Sequence, residues 1–290
     1  MTIVERAIEK LRRQGSSGPQ APEQAIEPSI ATVPVAEADD ASVPRLAIDR
    51  EGLRLQGYAA EAGVDREISS QFRRIKRPLV AAAHAPLEAG APDPRRIMVT
   101  SALPGEGKTF TSIQLAFSLA LERDHTVLLV DGDVARPRLS RVLGLGDRPG
   151  LLDLVADGQR RASELVIPTD VPGLYVLPSG QPREGSAELV ASSRMAGVMD
   201  ELADMRPRQL VVMDSPPVLV SGEARTLAAI SGQVVLVVRS GVTLRSALTH
   251  ALAALGPKRR PRLVLNECHV GSGDVYAHDG YYGNDQEAGA

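Results

Sequence analysis

Short apolar runs alternate with helical patterns along most of the chain, and this alternation limits the folds open to it. Runs that are apolar throughout indicate strands buried on both faces, which are typical of parallel sheets covered by helices. The pattern therefore predicts an α/β fold with a mostly parallel, doubly wound sheet and helices on both faces. The predicted strands are 96–101, 126–131, 173–178, 209–214, 233–239 and 262–266, and the predicted helices are 63–77 (ended by Pro78), 108–122, 186–204, 222–231 and 243–255.

Composition limits the class of protein further. The chain has 290 residues, of which 43% are hydrophobic but only 3% aromatic. That is enough for one α/β domain of roughly 200 residues plus extra segments. A net charge of −3 argues against nucleic acid as a partner, because nucleic-acid binders carry a basic surface. The single cysteine, Cys268, excludes an internal disulfide framework and fits a reducing compartment.

The chain divides into four predicted parts. Residues 1–13 form an amphipathic helix, either a frayed end or a docking helix. The proline-rich residues 14–60 form a flexible linker, residues 61–270 the α/β domain, and residues 271–290 a disordered tail. No apolar run approaches the roughly 18 residues that span a bilayer, and the N-terminus lacks a secretory signal. We expect a cytoplasmic protein that only a partner would hold at a membrane.

A glycine-rich loop follows the first predicted strand and leads into a helix. From Ala102 it reads Ala-Leu-Pro-Gly-Glu-Gly-Lys-Thr, which matches a phosphate-binding loop except that Ala102 replaces the first glycine. In such a P-loop, backbone N–H groups around Gly105 and Gly107 surround phosphates, and Lys108 reaches the β- and γ-phosphates. The Thr109 hydroxyl would bind Mg²⁺. The sequence therefore predicts a P-loop NTPase that takes ATP and Mg²⁺.

Acidic residues end two other predicted strands. Asp131 and Asp133 follow one apolar run, and Asp214 ends another. Mg²⁺ needs only one or two carboxylates beside phosphate oxygens and water. A kinase acting on a hydroxyl also needs a carboxylate that can accept its proton, and a second acidic strand end supplies one carboxylate more than the metal requires.

The tail carries an unusual share of the aromatic residues. Three of the five tyrosines lie in the last fifteen residues, where no core can use them: Tyr276, Tyr281 and Tyr282. Their acidic neighbours are Asp274, Asp279 and Asp285. The basic run at 73–77 could attract such a tail from a neighbouring subunit.

The motifs resemble those of bacterial tyrosine kinases, the autokinases of exopolysaccharide synthesis and export. Residues 101–109, 128–137 and 211–219 look like the Walker A, Walker A′ and Walker B motifs of that family. Residues 2–13 and 71–79 resemble its exosortase-associated branch. The resemblance implies a protein tyrosine autokinase that phosphorylates its own tail and regulates polysaccharide polymerisation and export.

The resemblance also implies roles for particular residues. Lys108, Asp131 and Asp133 would be catalytic, with Asp131 as the base for the incoming tyrosine, and the phosphoacceptors would be Tyr276, Tyr281 and Tyr282. Nucleotide would be held by Gly105, Glu106, Gly107, Lys108, Thr109, Phe110 and Asn266, and the metal by Thr109, Asp133 and Asp214.

The family further implies partners. These are other copies of the chain, in a trans-phosphorylating homo-oligomer, and a separate membrane-embedded polysaccharide chain-length regulator that activates the kinase at the inner face of the cell membrane. Two positions depart from the family pattern. Ala135 stands where an Arg is usual, and Gln71 replaces the Glu of the oligomer motif that continues with Arg74 and Arg77.

Two alternatives belong to other functional classes. A partition or division-site ATPase would carry a second lysine early in the loop, where this chain has Leu103, and would not need tail tyrosines. A non-catalytic module that binds ATP and docks on a membrane protein would keep the loop without needing Asp131.

Overall fold

A computed structural model describes residues 44–59, 65–87, 90–257 and 259–268. The predicted N-terminal helix, most of the predicted linker and the tyrosine-bearing tail lie outside the described residues.

A mostly parallel sheet forms the centre of the described chain. Its order is β3-β4-β2-β5-β1-β6-β7, and every neighbouring pair is parallel except β3 with β4. The six predicted strands are confirmed, and the short edge strand β3 was not predicted. The strands are β1 Arg96–Ser101, β2 Thr126–Asp131, β3 Ile167–Pro168, β4 Leu174–Leu177, β5 Gln209–Asp214, β6 Gln233–Arg239 and β7 Arg262–Asn266.

Helices connect the strands and cover both faces of the sheet. They are α1 Arg50–Leu55, α2 Asp65–Ala83, α3 Lys108–Ala120, α4 Arg138–Val142, α5 Leu151–Ala156, α6 Ala162–Leu165, α7 Ser186–Ala191, α8 Ser193–Asp204, α9 Glu223–Ile230 and α10 Arg245–Leu255. Among the described residues, no helix is both long and apolar enough to cross a membrane.

The core has two halves, one on each face of the sheet. Alternate residues of β1 divide between them: Ile97 and Val99 pack with α1, α2 and α3, whereas Met98 packs on the opposite face with α5, α8 and α9. This division follows from the two-residue period of a strand. The predicted doubly wound α/β fold is confirmed.

Helix α2 continues past the proline that was predicted to end it. Pro78 lies inside α2 and on its exposed side, whereas Leu79 is fully buried. An interior proline costs about 3 kcal/mol through a lost hydrogen bond and a steric clash. Burying a leucine contributes about 1.5–3 kcal/mol, and further apolar residues follow on the same stripe. Packing thus offsets the local cost, and the predicted end at Pro78 is wrong.

The predicted helix over 186–204 is two helices. Ser192 has an extended backbone, with ψ 155°, between α7 and α8. Its hydroxyl donates to the carbonyl of Leu189 at 2.6 Å, a side-chain bond that competes with helix continuation.

Part of the predicted linker is folded. Leu46 pairs with Thr169 next to β3, and Ile48 and Leu53 are buried in the core that includes α2 and α3. Asp49 caps α1 by accepting a hydrogen bond from the N–H of Gly52 at 2.8 Å. The prediction of a flexible linker is therefore wrong for residues 44–59, because their spaced apolar residues reach the core.

Candidate active site

The carboxyl ends of β1, β2 and β5 bring the predicted motifs together. These strands are neighbours in the sheet, and Asp131 at the end of β2 lies beside Asp214 at the end of β5. The P-loop leaves the end of β1 and enters α3 at Lys108. The structure thus places the loop and both acidic strand ends at one edge of the sheet, where parallel α/β proteins bind ligands.

Two glycines give the loop its shape. Gly105 and Gly107 have φ of 83° and 95°, a left-handed conformation that residues with a Cβ atom rarely adopt. A Cβ atom added to Gly107 would lie 2.0 Å from Nδ2 of Asn266. The sequence places glycine where the backbone must turn into the helix N-terminus.

Lys108 is surrounded by carboxylates. Its Nζ lies 3.0 Å from Oδ2 of Asp133, and both side chains are largely buried. Burial opposes the charged form, but the charges of Asp214, Asp133 and Asp131 outweigh it and raise the pKa of Lys108 above its ordinary value. Lys108 therefore stays protonated and paired with Asp133. A bound phosphate would compete with Asp133 for this ammonium group.

Asp214 orients the hydroxyl predicted to bind Mg²⁺. Thr109 Oγ1 donates to Oδ2 of Asp214 at 2.7 Å, and Ser112 Oγ donates to Oδ1 at 3.2 Å. Because the Thr109 proton points to Asp214, the lone pairs of its oxygen remain for a cation. Burial raises the pKa of Asp214, an effect that Lys108 and Thr109 partly oppose.

Asp131 lies beneath the site rather than on its surface. Its side chain is fully buried, with Oδ2 accepting from the N–H and the hydroxyl of Ser140, both at 2.7 Å. Oδ1 accepts from the N–H of Asp133 at 3.3 Å. Burial and the charge of Asp214 raise the pKa of Asp131 to about 7. Both oxygens are engaged, so this carboxylate meets no incoming hydroxyl without a rearrangement.

The remaining predicted nucleotide-binding residues are Glu106, Asn266 and Phe110, and they differ in what they contact. The buried Glu106 side chain accepts hydrogen bonds from the N–H of Leu103 at 2.9 Å and from the hydroxyl of Thr243, so it braces the loop. Asn266 lies against the same turn and donates from Nδ2 to the carbonyl of Glu106 at 3.1 Å. Phe110 lies at the start of α3 and lines the cleft beside the loop.

A cleft of about 1370 Å³ opens over the loop. Its lining includes Gly105, Gly107, Lys108, Thr109, Phe110, Asp133 and Asn266, but not Glu106, Asp131 or Asp214. Further lining residues were not predicted: Tyr58, Arg136, Arg138 and Arg141. The three arginines lie within eight residues after Asp133, so their closeness to this acidic strand end could have predicted their place in the cleft. Tyr58 comes from the segment predicted to be linker. The predicted phosphoacceptors lie outside the described residues.

The residues present fit a hard cation beside a phosphate chain. In the described part of the chain, no group of three or more His, Cys, Asp or Glu side chains is arranged to hold a metal. Mg²⁺ in nucleotide sites needs fewer protein ligands, because phosphate and water oxygens complete its octahedron. The Thr109 hydroxyl held by Asp214, with Asp133 beside Lys108, offers such oxygen ligands. Fold and site together define a P-loop nucleotide-binding protein.

Comparison with known proteins identifies the family within that class. No family model matches the chain. It is 30% identical over 191 residues to the tyrosine-protein kinase YwqD of Bacillus subtilis, an alignment that covers 65% of this chain and 78% of YwqD. It is also 37% identical over 143 residues to EpsB of Ralstonia solanacearum, a predicted tyrosine-protein kinase. The chain belongs to the bacterial tyrosine kinase family, whereas the exosortase-associated branch stays a prediction.

The extent of these matches differs. The EpsB alignment covers 49% of this chain but only 18% of EpsB, so the chain spans about a fifth of that relative. The solved kinase domain of VpsO superposes with a TM-score of 0.58 at 27% identity, and covers 72% of this chain and all of that domain. YwqD, EpsB and VpsO are all named as kinases, which does not favour the partition-ATPase alternative.

Proposed function

We propose that this chain is an ATP-dependent protein tyrosine autokinase that transfers the γ-phosphoryl group of ATP to tyrosines of its own C-terminal segment. In the cell this reaction would regulate exopolysaccharide polymerisation and export. The observation that carries the proposal is the cluster at the sheet edge, in which Lys108 is hydrogen-bonded to Asp133 and Thr109 to Asp214.

Each member of the cluster has a task in phosphoryl transfer, where positioning and charge neutralisation do most of the work. Backbone N–H groups of the loop and the start of α3 hold the phosphates. Lys108 exchanges Asp133 for the β- and γ-phosphates and neutralises charge there. Asp214 fixes Thr109 so that its oxygen faces the metal site. Thr109 and Asp133 would hold Mg²⁺, which when bound would offset the negative charge that develops during transfer.

The proton of the incoming tyrosine has two candidate acceptors. Asp133 lines the cleft and becomes free when Lys108 turns to phosphate. Asp131 has a pKa of about 7, which suits a base at neutral pH, but it lies under Ser140. The predicted role of Asp131 therefore requires the chain around Ser140 to move when substrates bind.

Partners follow from the same proposal. The phosphoacceptors would be Tyr276, Tyr281 and Tyr282 of another copy, which makes the kinase a trans-acting homo-oligomer. A separate membrane-embedded chain-length regulator would activate it and hold it at the inner face of the cell membrane. Each phosphate adds about −1.5 to −2 charges, so a phosphorylated tail would leave an acidic site more readily.

Intact mass spectrometry after incubation with ATP and Mg²⁺ tests the proposal. Wild-type protein should gain one to three phosphates. Lys108→Met should gain none, and neither should the variant with all three tail tyrosines changed to Phe. Hydrolysis of ATP without added mass would instead indicate the partition-type ATPase. If neither phosphorylation nor ATP hydrolysis occurs, even with the cytoplasmic segment of the membrane activator present, the chain is a nucleotide-binding module.

A further inference from the structure

Two arginines form one lip of the cleft. Arg138 and Arg141 are exposed, whereas Leu139 and Ser140 between them are buried. Residues three apart are neighbours on a helix surface, so both guanidinium groups extend from the same side of α4. Both line the cleft that contains Lys108.

These guanidinium groups have no ionic partner among the described residues. Arg138 donates to the phenolic oxygen of Tyr58 at 3.3 Å, and Arg141 has no side-chain hydrogen bond there. The acids of the cleft are engaged elsewhere: Asp133 with Lys108 at 3.0 Å, Glu267 with Arg239 at 2.6 Å, and Glu67 with Gln71 at 3.3 Å. The lip therefore carries positive charge that nothing in the described part of the cleft neutralises.

We propose that Arg138 and Arg141 select substrates with an aspartate two residues before the tyrosine. This inference rests on the proposed kinase function and names its substrate class, an acidic peptide. The occupant is the C-terminal segment of another copy, which contains Asp274-Val-Tyr276 and Asp279-Gly-Tyr281. Both tyrosines thus have the same acidic spacing.

The spacing lets the aspartate and the tyrosine of one substrate enter the cleft together. In an extended substrate, residues two apart point to the same side and lie roughly 7 Å apart. A tyrosine could then enter toward Lys108 while its aspartate stays at the arginine lip. Guanidinium and carboxylate pair through two parallel hydrogen bonds, which fix the register of the peptide as well as its charge.

Peptide binding tests the inference without requiring catalysis. A fluorescein-labelled peptide with the sequence of residues 272–284 is titrated with protein in the presence of ADP and Mg²⁺, and anisotropy is read. Changing both arginines to Gln should weaken binding roughly tenfold, as expected for two exposed ion pairs. The same peptide with Asp274→Asn and Asp279→Asn should bind wild type about as weakly and should not distinguish the two proteins. Arg123→Gln, an exposed arginine outside the cleft lining, is the matched control.

Charge reversal separates recognition from a folding defect. The Arg138→Glu, Arg141→Glu protein should prefer a peptide carrying Asp274→Lys and Asp279→Lys. The inference is overturned if wild type does not bind the acidic peptide, if the Gln variant keeps the wild-type preference for it, or if the variants lose ADP affinity instead. Selective binding without phosphorylation, even with the cytoplasmic segment of the membrane activator present, would defeat the kinase proposal but leave recognition of the acidic peptide by the two arginines standing. Phosphorylation of acidic and neutral peptides with equal KM would support the kinase proposal and overturn the inference.

Discussion

At the residue scale, the turn at Gly107 is the position most sensitive to a single methyl group. Gly107→Ala places a Cβ 2.0 Å from the Asn266 amide and forces alanine to φ 95°. Asn266 must then leave the Glu106 carbonyl, and the loop loses its shape. We expect affinity for a fluorescent ADP analogue to fall roughly 5- to 150-fold, because strain of this kind costs about 1–3 kcal/mol.

Gly105→Ala is the matched control. That residue also has a positive φ, 83°, but a Cβ there would have no neighbour within 4 Å. It should cost less affinity than Gly107→Ala. In an Asn266→Gly background, which removes the clash, the effect of Gly107→Ala should shrink toward that of Gly105→Ala. An equal loss of affinity from Gly107→Ala, from Gly105→Ala and from Gly107→Ala in the Asn266→Gly background would mean that backbone strain alone, and not the contact with Asn266, causes the effect.

Asp131 gives the site a pH dependence whose sign can be derived. Its folded pKa of about 7 lies above the ordinary 3.8, so the folded state binds a proton more tightly than the unfolded state. The stability from this group is complete below pH 4 and is lost as the pH rises through about 7. Asp131→Asn does not titrate. Its free energy of unfolding should therefore rise relative to wild type between pH 4 and 8, by up to about 4 kcal/mol.

Urea unfolding without nucleotide or Mg²⁺ measures this difference, because either ligand would change the charge around Asp131. A lost hydrogen bond to Ser140 would shift the two curves by a constant amount at every pH. Only a difference that grows with pH supports a buried, protonated Asp131. A difference that stays constant from pH 4 to 8 would rule it out.

At the scale of the elements, the basic stretch of α2 shows what residue type predicts and what it does not. The sequence placed Lys76 in a basic run, but its side chain is buried among the residues that anchor α2. Its Nζ donates to the Ser118 carbonyl at 2.6 Å and lies 2.7 Å from Oε1 of Glu122. The spacing of Phe72, Lys76 and Leu79 gives the reason, since they share one stripe of the helix.

Lys76 therefore links two helices. The Ser118 carbonyl belongs to the last turn of α3, where helical carbonyls lack intrahelical partners, and the lysine satisfies it. Lys76→Met should lower the free energy of unfolding by about 1–3 kcal/mol, the cost of a buried hydrogen bond to a charged group. Arg73→Met, at an exposed position of the same helix, should change it by less than about 0.5 kcal/mol. Equal urea midpoints for the two variants would contradict the link.

Element type was more predictable than element ends. Continuous apolar runs identified the six longer strands, because a strand that is buried on both faces carries apolar side chains at nearly every position. At Pro78 packing overrides the tendency of proline to end a helix, whereas at Ser192 the side-chain hydrogen bond wins and the helix ends. The sequence shows the local preference at each position but not whether packing overrides it. The same limit applies at the site: the motifs located Lys108 and Asp214, but not the burial of Asp131 under Ser140.

At the scale of the whole molecule, the boundary of the folded domain is the main revision to the sequence-based view. Ile48 is 8% exposed and Leu53 is 2% exposed, and both belong to the core on the α2 and α3 face. Tyr58, from the same segment, lines the cleft, and its carbonyl accepts a hydrogen bond from Gln114 of α3 at 3.0 Å. Residues 44–59 therefore contribute both to the core and to the site.

Two truncations test this boundary. Removing residues 1–59 should lower stability relative to removing 1–43, because burial of Ile48 and Leu53 contributes about 1.5–3 kcal/mol each. For a domain of this size that is a difference of roughly 6–24 °C in Tm. The shorter protein should also bind the ADP analogue more weakly, since it lacks the cleft wall that contains Tyr58. Restoring 44–59 with Ile48→Ala and Leu53→Ala should recover little of the Tm. If both truncated proteins melt together, the segment rests on the domain without stabilising it, and the domain begins at α2.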